Sequence, residues 1–372
     1  MGMDQEIVRN CDLTFDLNEV KRKLPPPTVV KLEHSIELLR KSAFLADQYD
    51  PQDGFFLAFS GGKDSQALYH VAKLAGVRFK GHMSLTSVDP PEVIRFVKEH
   101  YPDIERMKPK RSIFQSAVER KILPTMRVRW CCEEYKESTG AGRVTLIGIR
   151  RQESSRRARR NEVEIDSRKF SGTLEGLEEY REAKNDNMSK PHRGRRSKAE
   201  QITIVNAKGE RTLGCINGKE SLLISPIIEW TETDVWAFLN TLGVAHCSLY
   251  DEGWHRIGCI GCPMSSPKQK QIEEARWPHV KRNWIKAIKA IRRGGYSRTD
   301  MYGGTSRTVP CFYGTNEHWL VGGFSDGSSS DRLTDEQEDE IAENIYNWWT
   351  SGKAFDKWYA EKFTQKKIDF KE

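Results

Sequence analysis

The chain has 372 residues, 37% of them hydrophobic and 30% charged, with a formal net charge of +7. That length accommodates a full α/β core plus a second module, and no apolar run approaches the ~18 residues of a membrane span. The N-terminal MGMDQEIVRNCDL has neither the apolar stretch of a signal peptide nor a myristoylation pattern, so a cytoplasmic protein with no membrane partner is expected.

Residues 1–50 read as a helical N-terminal extension, broken at Pro25-Pro26-Pro27 and continuing as a helix over Val29–Asp47. Strands and helices then alternate. Phe55–Phe59 reads as a strand and Ser65–Ala75 as a helix; Phe79–Thr86 as a strand and Pro91–Tyr101 as a helix with Pro and Glu at its start. Ile104–Met107 is a third strand and Ile113–Lys121 a helix; Arg143–Ile149 and Ser221–Ile228 are buried strands, and Glu232–Leu242 is a helix. This alternation predicts an α/β fold, a parallel twisted sheet with helices on both faces. Ligands bind at the carboxyl ends of such strands, where Ser60, Asp89 and Arg150 fall.

The polar stretch 151–220 interrupts the pattern. From Arg150 to Arg211 there are 17 Lys/Arg against 11 Asp/Glu, so this segment carries +6 of the net +7. Charge so localised suits a nucleic acid or another anion, and equally a solvated insertion. Farther on, Lys268–Arg293 reads as one long basic helix whose Trp277, Val280, Trp284, Ile288 and Ile291 recur at spacings of 3 and 4, the mark of packed core. Residues 297–330 are rich in Gly and Ser, and 334–364 read as one or two helices. The organisation expected is a helical extension over 1–50, a nucleotide domain over 51–265 holding the basic insertion, and a mainly helical region over 266–372.

The most informative stretch is FFLAFSGGKDS, residues 55–65. Strand, glycine loop and helix in that order build an anion site. Gly61 and Gly62 let the backbone approach a phosphate, Ser60 and Ser65 add hydroxyls, Lys63 adds charge, and Asp64 can anchor the loop or help to hold a metal. The P-loop pattern G-x-x-x-x-G-K-S/T is not met. The eight cysteines include an adjacent pair, Cys131-Cys132, and a C-x-x-C pair, Cys259 and Cys262, which in a cytoplasmic protein point to metal rather than disulfides. Adjacent side chains on a helix diverge by about 100°, so two such thiolates reach two corners of a cluster more easily than one small ion. That favours a [4Fe–4S] site over zinc. Cys11, Cys215, Cys247 and Cys311 have no such partners.

SGGKDS resembles the PP-loop of the ATP pyrophosphatase superfamily, the adenine nucleotide alpha hydrolase-like proteins. The combination with four cysteines resembles the phosphoadenosine phosphosulfate (PAPS) reductase family within it. CCEEYK looks like that family's cluster motif, which implies a place for Lys136 near the cluster. GIRRQESSRR looks like its substrate-binding stretch, which implies that Gly148, Arg150, Arg151 and Arg157 meet phosphate or sulfate. SPIIEWTETDVW and SLYDEGWHRIGCIGC match two further elements; VDPPEV stands where the family shows V-D-T-G, so that Asp89 fits and its successors do not. The resemblance spans about residues 50–265. It implies an adenine nucleotide (ATP, adenosine 5′-phosphosulfate (APS) or PAPS) on Ser60 to Ser65 with Asp89, a [4Fe–4S] cluster on Cys131, Cys132, Cys259 and Cys262, Mg2+ with the nucleotide, and Lys63, Asp64, Arg150 and Lys136 in catalysis.

The family's E-C-G-I/L-H motif, whose cysteine attacks the sulfate sulfur, is not found here, and the only cysteine after Cys262 is Cys311 in TVPCFYG. The readings are therefore a sulfonucleotide reductase-like enzyme with a thiol reductant or sulfur-donor protein, an ATP-dependent nucleic-acid sulfurtransferase like the PP-loop subunit of DNA phosphorothioation, or a non-catalytic nucleotide-binding module.

Overall fold

The computed structural model describes residues 8–126, 128–137, 139–140, 142–165, 222–293, 296–297, 308–309, 334–353, 357–358 and 361. The second basic cluster (Arg193, Arg195, Arg196, Lys198), Cys215 and Cys311 lie outside them, as do most of the insertion and most of the Gly- and Ser-rich stretch. The chain forms two compact units. One comprises Met1–Leu85, Pro90–Lys108 and Tyr135–Gly258; the other comprises Thr86–Asp89, Pro109–Glu134 and Cys259–Glu372.

The first unit is α/β. Its strands are β1 (Phe55–Ala58), β2 (Phe79–Ser84), β3 (Glu105–Met107), β4 (Val144–Leu146), β5 (Val163–Ile165) and β6 (Leu222–Ile224). They form one six-stranded sheet in the order β3-β2-β1-β4-β6-β5. All neighbours are parallel except β5, which runs antiparallel to β6 with Val163 opposite Ile224. Phe55, Phe56 and Leu57 are all buried, as a central parallel strand covered on both faces requires. From β1 the chain steps outward through β2 to β3, then returns to the other side of β1 for β4. The strand order thus reverses between β1 and β4, the place where open α/β sheets bind ligands.

The helices of this unit are α1 (Leu17–Lys23), α2 (Pro26–Tyr49), α3 (Lys63–Ala75), α4 (Pro91–His100) and the Glu232–Leu242 helix. α3 begins at the glycine loop and stops at Gly76, whose left-handed φ of 69° ends it. The Glu232–Leu242 helix opens with a capping box: Thr231 accepts from the Asp234 amide, and Asp234 accepts from the Thr231 amide. The same Asp234 carboxylate takes 2.7 Å and 2.5 Å bonds from Thr28 and Lys31 of α2. Trp230 is buried and donates to Ser35 of α2 at 3.1 Å. The SPIIEWTETDVW element is therefore, in good part, the clamp that fastens this helix to α2.

The second unit is helical around Trp284. The rings of Phe114, on α5 (Ile113–Arg120), and Trp349, on the Asp335–Ser351 helix, meet it edge-on at 4.9 Å and 5.0 Å. Trp277, Val280, Ile288 and Ile291 are buried beside it in sequence, as the spacing predicts. The single helix expected over 268–293 is two, Pro267–Arg276 and Pro278–Arg293. Pro278 has no N–H to donate and its ring clashes with a preceding turn, so the chain breaks at Trp277. The other surprise is β5, inside the segment read as featureless. A three-residue VEI edge strand with a buried glutamate gives too little periodicity to detect. Among the described residues no helix is long and apolar enough to cross a membrane.

Burial opposes the charge of Asp234, but the bonds from Lys31, Thr231 and Thr28 outweigh it and hold the carboxyl well below its usual range. Its stabilisation is therefore present above about pH 4, the unfolded value, and is lost as pH falls further. We expect Asp234→Ala to cost about 2 kcal/mol at neutral pH. In urea melts the gap between variant and wild type should close progressively below about pH 4; a pH-independent gap would show that the carboxylate charge is not involved.

Candidate functional site

The SGGKDS loop leaves the carboxyl end of β1 and becomes the N-terminus of α3, with Gly62 as its first, half-helical residue and no side-chain cap. Gly61 has φ of +75°, and a Cβ there would lie 2.7 Å and 2.8 Å from the Val93 and Val97 methyls of α4. Ser65 donates to the Gly62 carbonyl at 2.8 Å, and Ser60 to the Ser65 hydroxyl at 3.2 Å. These bonds fold the loop on itself with its amides at the helix start, where the backbone dipole favours an anion.

Across the reversal point, the segment after β4 brings Gly148 and Arg150 to the same helix start. A Cβ on Gly148 would stand 3.0 Å from the Asp64 carbonyl oxygen, so any other residue would require the backbone to give by a few tenths of an ångström. The buried Arg150 then donates from Nε to the Asp64 carboxylate at 2.6 Å. Burial pushes the Asp64 carboxyl up, and Arg150 and Lys63 pull against that shift. Arg150 also donates to the Gln152 amide oxygen at 3.1 Å, which accepts from the Glu232 backbone amide at 2.7 Å. Glu232 in turn lies 3.2 Å from the Lys63 ammonium. The loop and the two segments beside it thus form one polar circuit.

Lys63 is buried, and its ammonium donates to the His255 carbonyl at 2.7 Å, while its backbone amide donates to the Tyr250 hydroxyl at 2.8 Å. Gln152, Glu232, Tyr250 and His255 are members of the site that sequence reasoning missed. They come from three separate segments, each inside a motif quoted above, but the resemblance gave none of these four a role at the glycine loop. Arg151 and Arg157 each pair with a carboxylate, Glu229 and Glu153 respectively. Lys136 is exposed on a π-helical turn, Glu133–Glu137.

Cys131, Cys132, Cys259 and Cys262 all fall in the second unit. Cys131 and Cys132 lie on a single helical turn, α6 (Trp130–Cys132). The Cys131 thiol is pushed strongly up by its hydrogen bond with Cys132, by burial, and by the charges of Cys132, Cys259 and Cys262. None of the four is in a disulfide. The Arg129 guanidinium donates to the Cys132 sulfur at 3.1 Å. Among the described residues, no group of three or more His, Cys, Asp or Glu is arranged to hold a single metal ion. Asp89 also belongs to this unit: its carboxylate accepts from the Thr86 amide at 2.6 Å and the Thr86 hydroxyl at 2.9 Å. That turn takes the Ile260 amide on the Val88 carbonyl at 2.7 Å and the Cys259 thiol on Thr86 at 3.5 Å. Asp89 thus shapes a turn packed on the C-x-x-C loop, a role its place after a strand did not reveal.

Residues 54–265, more than half of the chain, match the model of the phosphoadenosine phosphosulfate reductase domain. The chain belongs to that family. Within it, similarity to individual proteins is modest. An uncharacterised protein of Methanocaldococcus jannaschii is 25% identical over 249 residues, 66% of this chain and 50% of that protein. The adenosine 5′-phosphosulfate reductase of Allochromatium vinosum is 30% identical over 80 residues, 22% of this chain and 30% of the enzyme. The chain thus spans half or less of these curated relatives. Among solved structures, Candida glabrata FMN adenylyltransferase is similar with a TM-score of 0.38 and 13% identity, over 66% of this chain and 69% of that one.

The Arg150–Asp64 pair gives a direct test of the site's architecture. Arg150→Met should destabilise the fold by about 2 kcal/mol, because it leaves the partly buried Asp64 carboxylate without its partner. Adding Asp64→Asn should recover part of that loss. A double-mutant cycle in which the two changes simply add would show that the pair contributes nothing.

Proposed function

We propose that the chain is a sulfonucleotide reductase-like enzyme that binds an adenine nucleotide (ATP, APS or PAPS) on the Ser60–Ser65 loop and acts in sulfur metabolism or sulfur transfer. The observation that carries this reading is the placement of two family motifs, SGGKDS and GIRRQE, at the carboxyl ends of β1 and β4, where the strand order reverses. The amides at the start of α3 and the Lys63 charge bind phosphate. Arg150 holds Asp64 in place, and Gly148 keeps the backbone close enough for that bond. Lys63, Asp64 and Arg150, with Lys136, form the catalytic set; Arg151 and Arg157 complete the nucleotide contacts, and Mg2+ accompanies the phosphates. The arginines exchange a carboxylate partner for the bound anion, an exchange between equivalent oxygens that guanidinium makes readily.

The four cysteines hold a [4Fe–4S] cluster in this reading. Four free cysteines, with the Cys131 thiol pushed up by its neighbours and by burial and a guanidinium donating to the Cys132 sulfur, are a donor set suited to a cluster. When bound, the cluster supplies electrostatic tuning or electrons to sulfur chemistry. The chain's own residues hold it: Arg129 donates to the Cys132 sulfur, and the Glu273 carboxylate accepts from the Gly261 amide inside the C-x-x-C loop at 2.6 Å.

A second reading is an ATP-dependent nucleic-acid sulfurtransferase. Arg156 and Arg159 are exposed at the start of the basic insertion, which suits a phosphate backbone. Product analysis of anaerobically purified protein separates the two. Sulfite and AMP from APS, with two thiols oxidised to a disulfide, identify the reductase. Pyrophosphate released from ATP only with DNA or tRNA identifies the transferase. Binding with no product under either condition leaves a nucleotide-binding module.

Two measurements test the parts. Lys63→Ala should weaken nucleotide binding about tenfold or more; wild-type affinity by calorimetry would remove the loop from the nucleotide site. Anaerobic protein should be brown with near-equal iron and acid-labile sulfide, and Cys259→Ser should bleach it. Stoichiometric zinc without sulfide would replace the cluster by a zinc site.

A further inference from the structure

We propose that Tyr250 is a phosphate-binding residue of the glycine loop, passing the helix N-terminal charge to the nucleotide through its hydroxyl. This rests on the nucleotide reading above and gives a role to a residue to which the motif matches assigned none. Gly62 begins α3 without a side-chain cap, so the first amides of the helix need partners from elsewhere. The Tyr250 hydroxyl supplies one, accepting from the Lys63 amide at 2.8 Å. Its oxygen would stand 3.3 Å from a Cβ on Gly62, so it lies on the loop itself, and a larger residue at 62 would crowd it.

The ring is fixed from two sides. Trp236 meets it edge-on at 5.1 Å, and the Lys63 ammonium lies over it at 5.4 Å from the centroid. Burial pushes the phenol well above its usual pKa, so the hydroxyl keeps its proton. Having accepted from Lys63, that hydroxyl has its proton left to give, and among the described residues it donates to no acceptor. A donor held on an anion-binding loop is suited to a phosphate oxygen. The chain from amide to hydroxyl to phosphate polarises in one direction, each bond strengthening the next. A tyrosine that merely filled the apolar space beside Trp236 would need no hydroxyl on the helix start.

Tyr250→Phe keeps the ring and its packing and removes only the relay. Calorimetry with wild type and variant should use ATP and, as a phosphate-free control, adenosine. We expect the variant to bind ATP roughly tenfold more weakly with adenosine affinity unchanged, and circular dichroism to match wild type. Equal or tighter ATP binding by the variant overturns the proposal, the tighter case showing a hydroxyl that competes with phosphate. A parallel loss for adenosine also overturns it, because the effect is then on the pocket in general. In wild-type protein labelled with 15N-lysine, the Lys63 amide resonance, assigned with Lys63→Arg, should move on adding ATP and stay in place with adenosine. This readout needs no Tyr250 variant, and a resonance indifferent to ATP is again a refutation. Wild type that binds no ATP at all refutes the nucleotide reading itself, an outcome distinct from normal ATP binding that ignores Tyr250.

Discussion

A single charged hydrogen bond, from Arg150 to Asp64, ties the two central strands of the sheet together at their carboxyl ends. Everything in the candidate site is arranged about it. Gly148 makes the approach possible, and Arg150, Gln152, Glu232 and Lys63 extend it into a circuit that returns to the glycine loop. An ion pair with one partner buried and the other partly so is a weak source of stability, because desolvation offsets most of the attraction. Its use is positional: it fixes the start of α3 relative to the segment after β4, and so fixes where backbone amides and guanidinium can meet one anion.

The circuit also shows how cations are stored on an anion site. Lys63, Arg150, Arg151 and Arg157 all have a carboxylate within ion-pair distance. Unpaired cations at such density would repel one another. The carboxylates keep them extended and in place, and an anionic ligand needs only to match oxygens already in position. The cysteines follow the opposite logic. Their crowding favours the neutral thiol at Cys131, Arg129 donates to the Cys132 sulfur, and a metal cluster would displace the thiol protons and take up the thiolate charge.

Some motifs are more structural than their resemblance suggests. Trp230 and Asp234 of SPIIEWTETDVW clamp a helix to α2, and Asp89 closes a turn beneath the C-x-x-C loop. In each the same residue type serves a chemistry-bearing segment by holding it from behind. A motif can therefore mark a site through the framework that builds it as well as through groups that touch a ligand.

The amino-acid sequence by itself determined the α/β class, most elements of the sheet, the glycine loop and the family, because these depend on periodicity and on residues adjacent in the chain. It also marked Trp277, Val280, Trp284, Ile288 and Ile291 as core, but the run of apolar spacing concealed the break that Pro278 imposes. It did not reveal β5, whose three residues are too few to show a period. Only the tertiary structure decided that Gln152, Glu232, Tyr250 and His255 join Lys63 and Asp64, or that Asp89 turns toward the C-x-x-C loop. Those contacts join segments up to 192 residues apart. Their partners are backbone amides and carbonyls as often as side chains, and a backbone group leaves no trace in the identity of its residue.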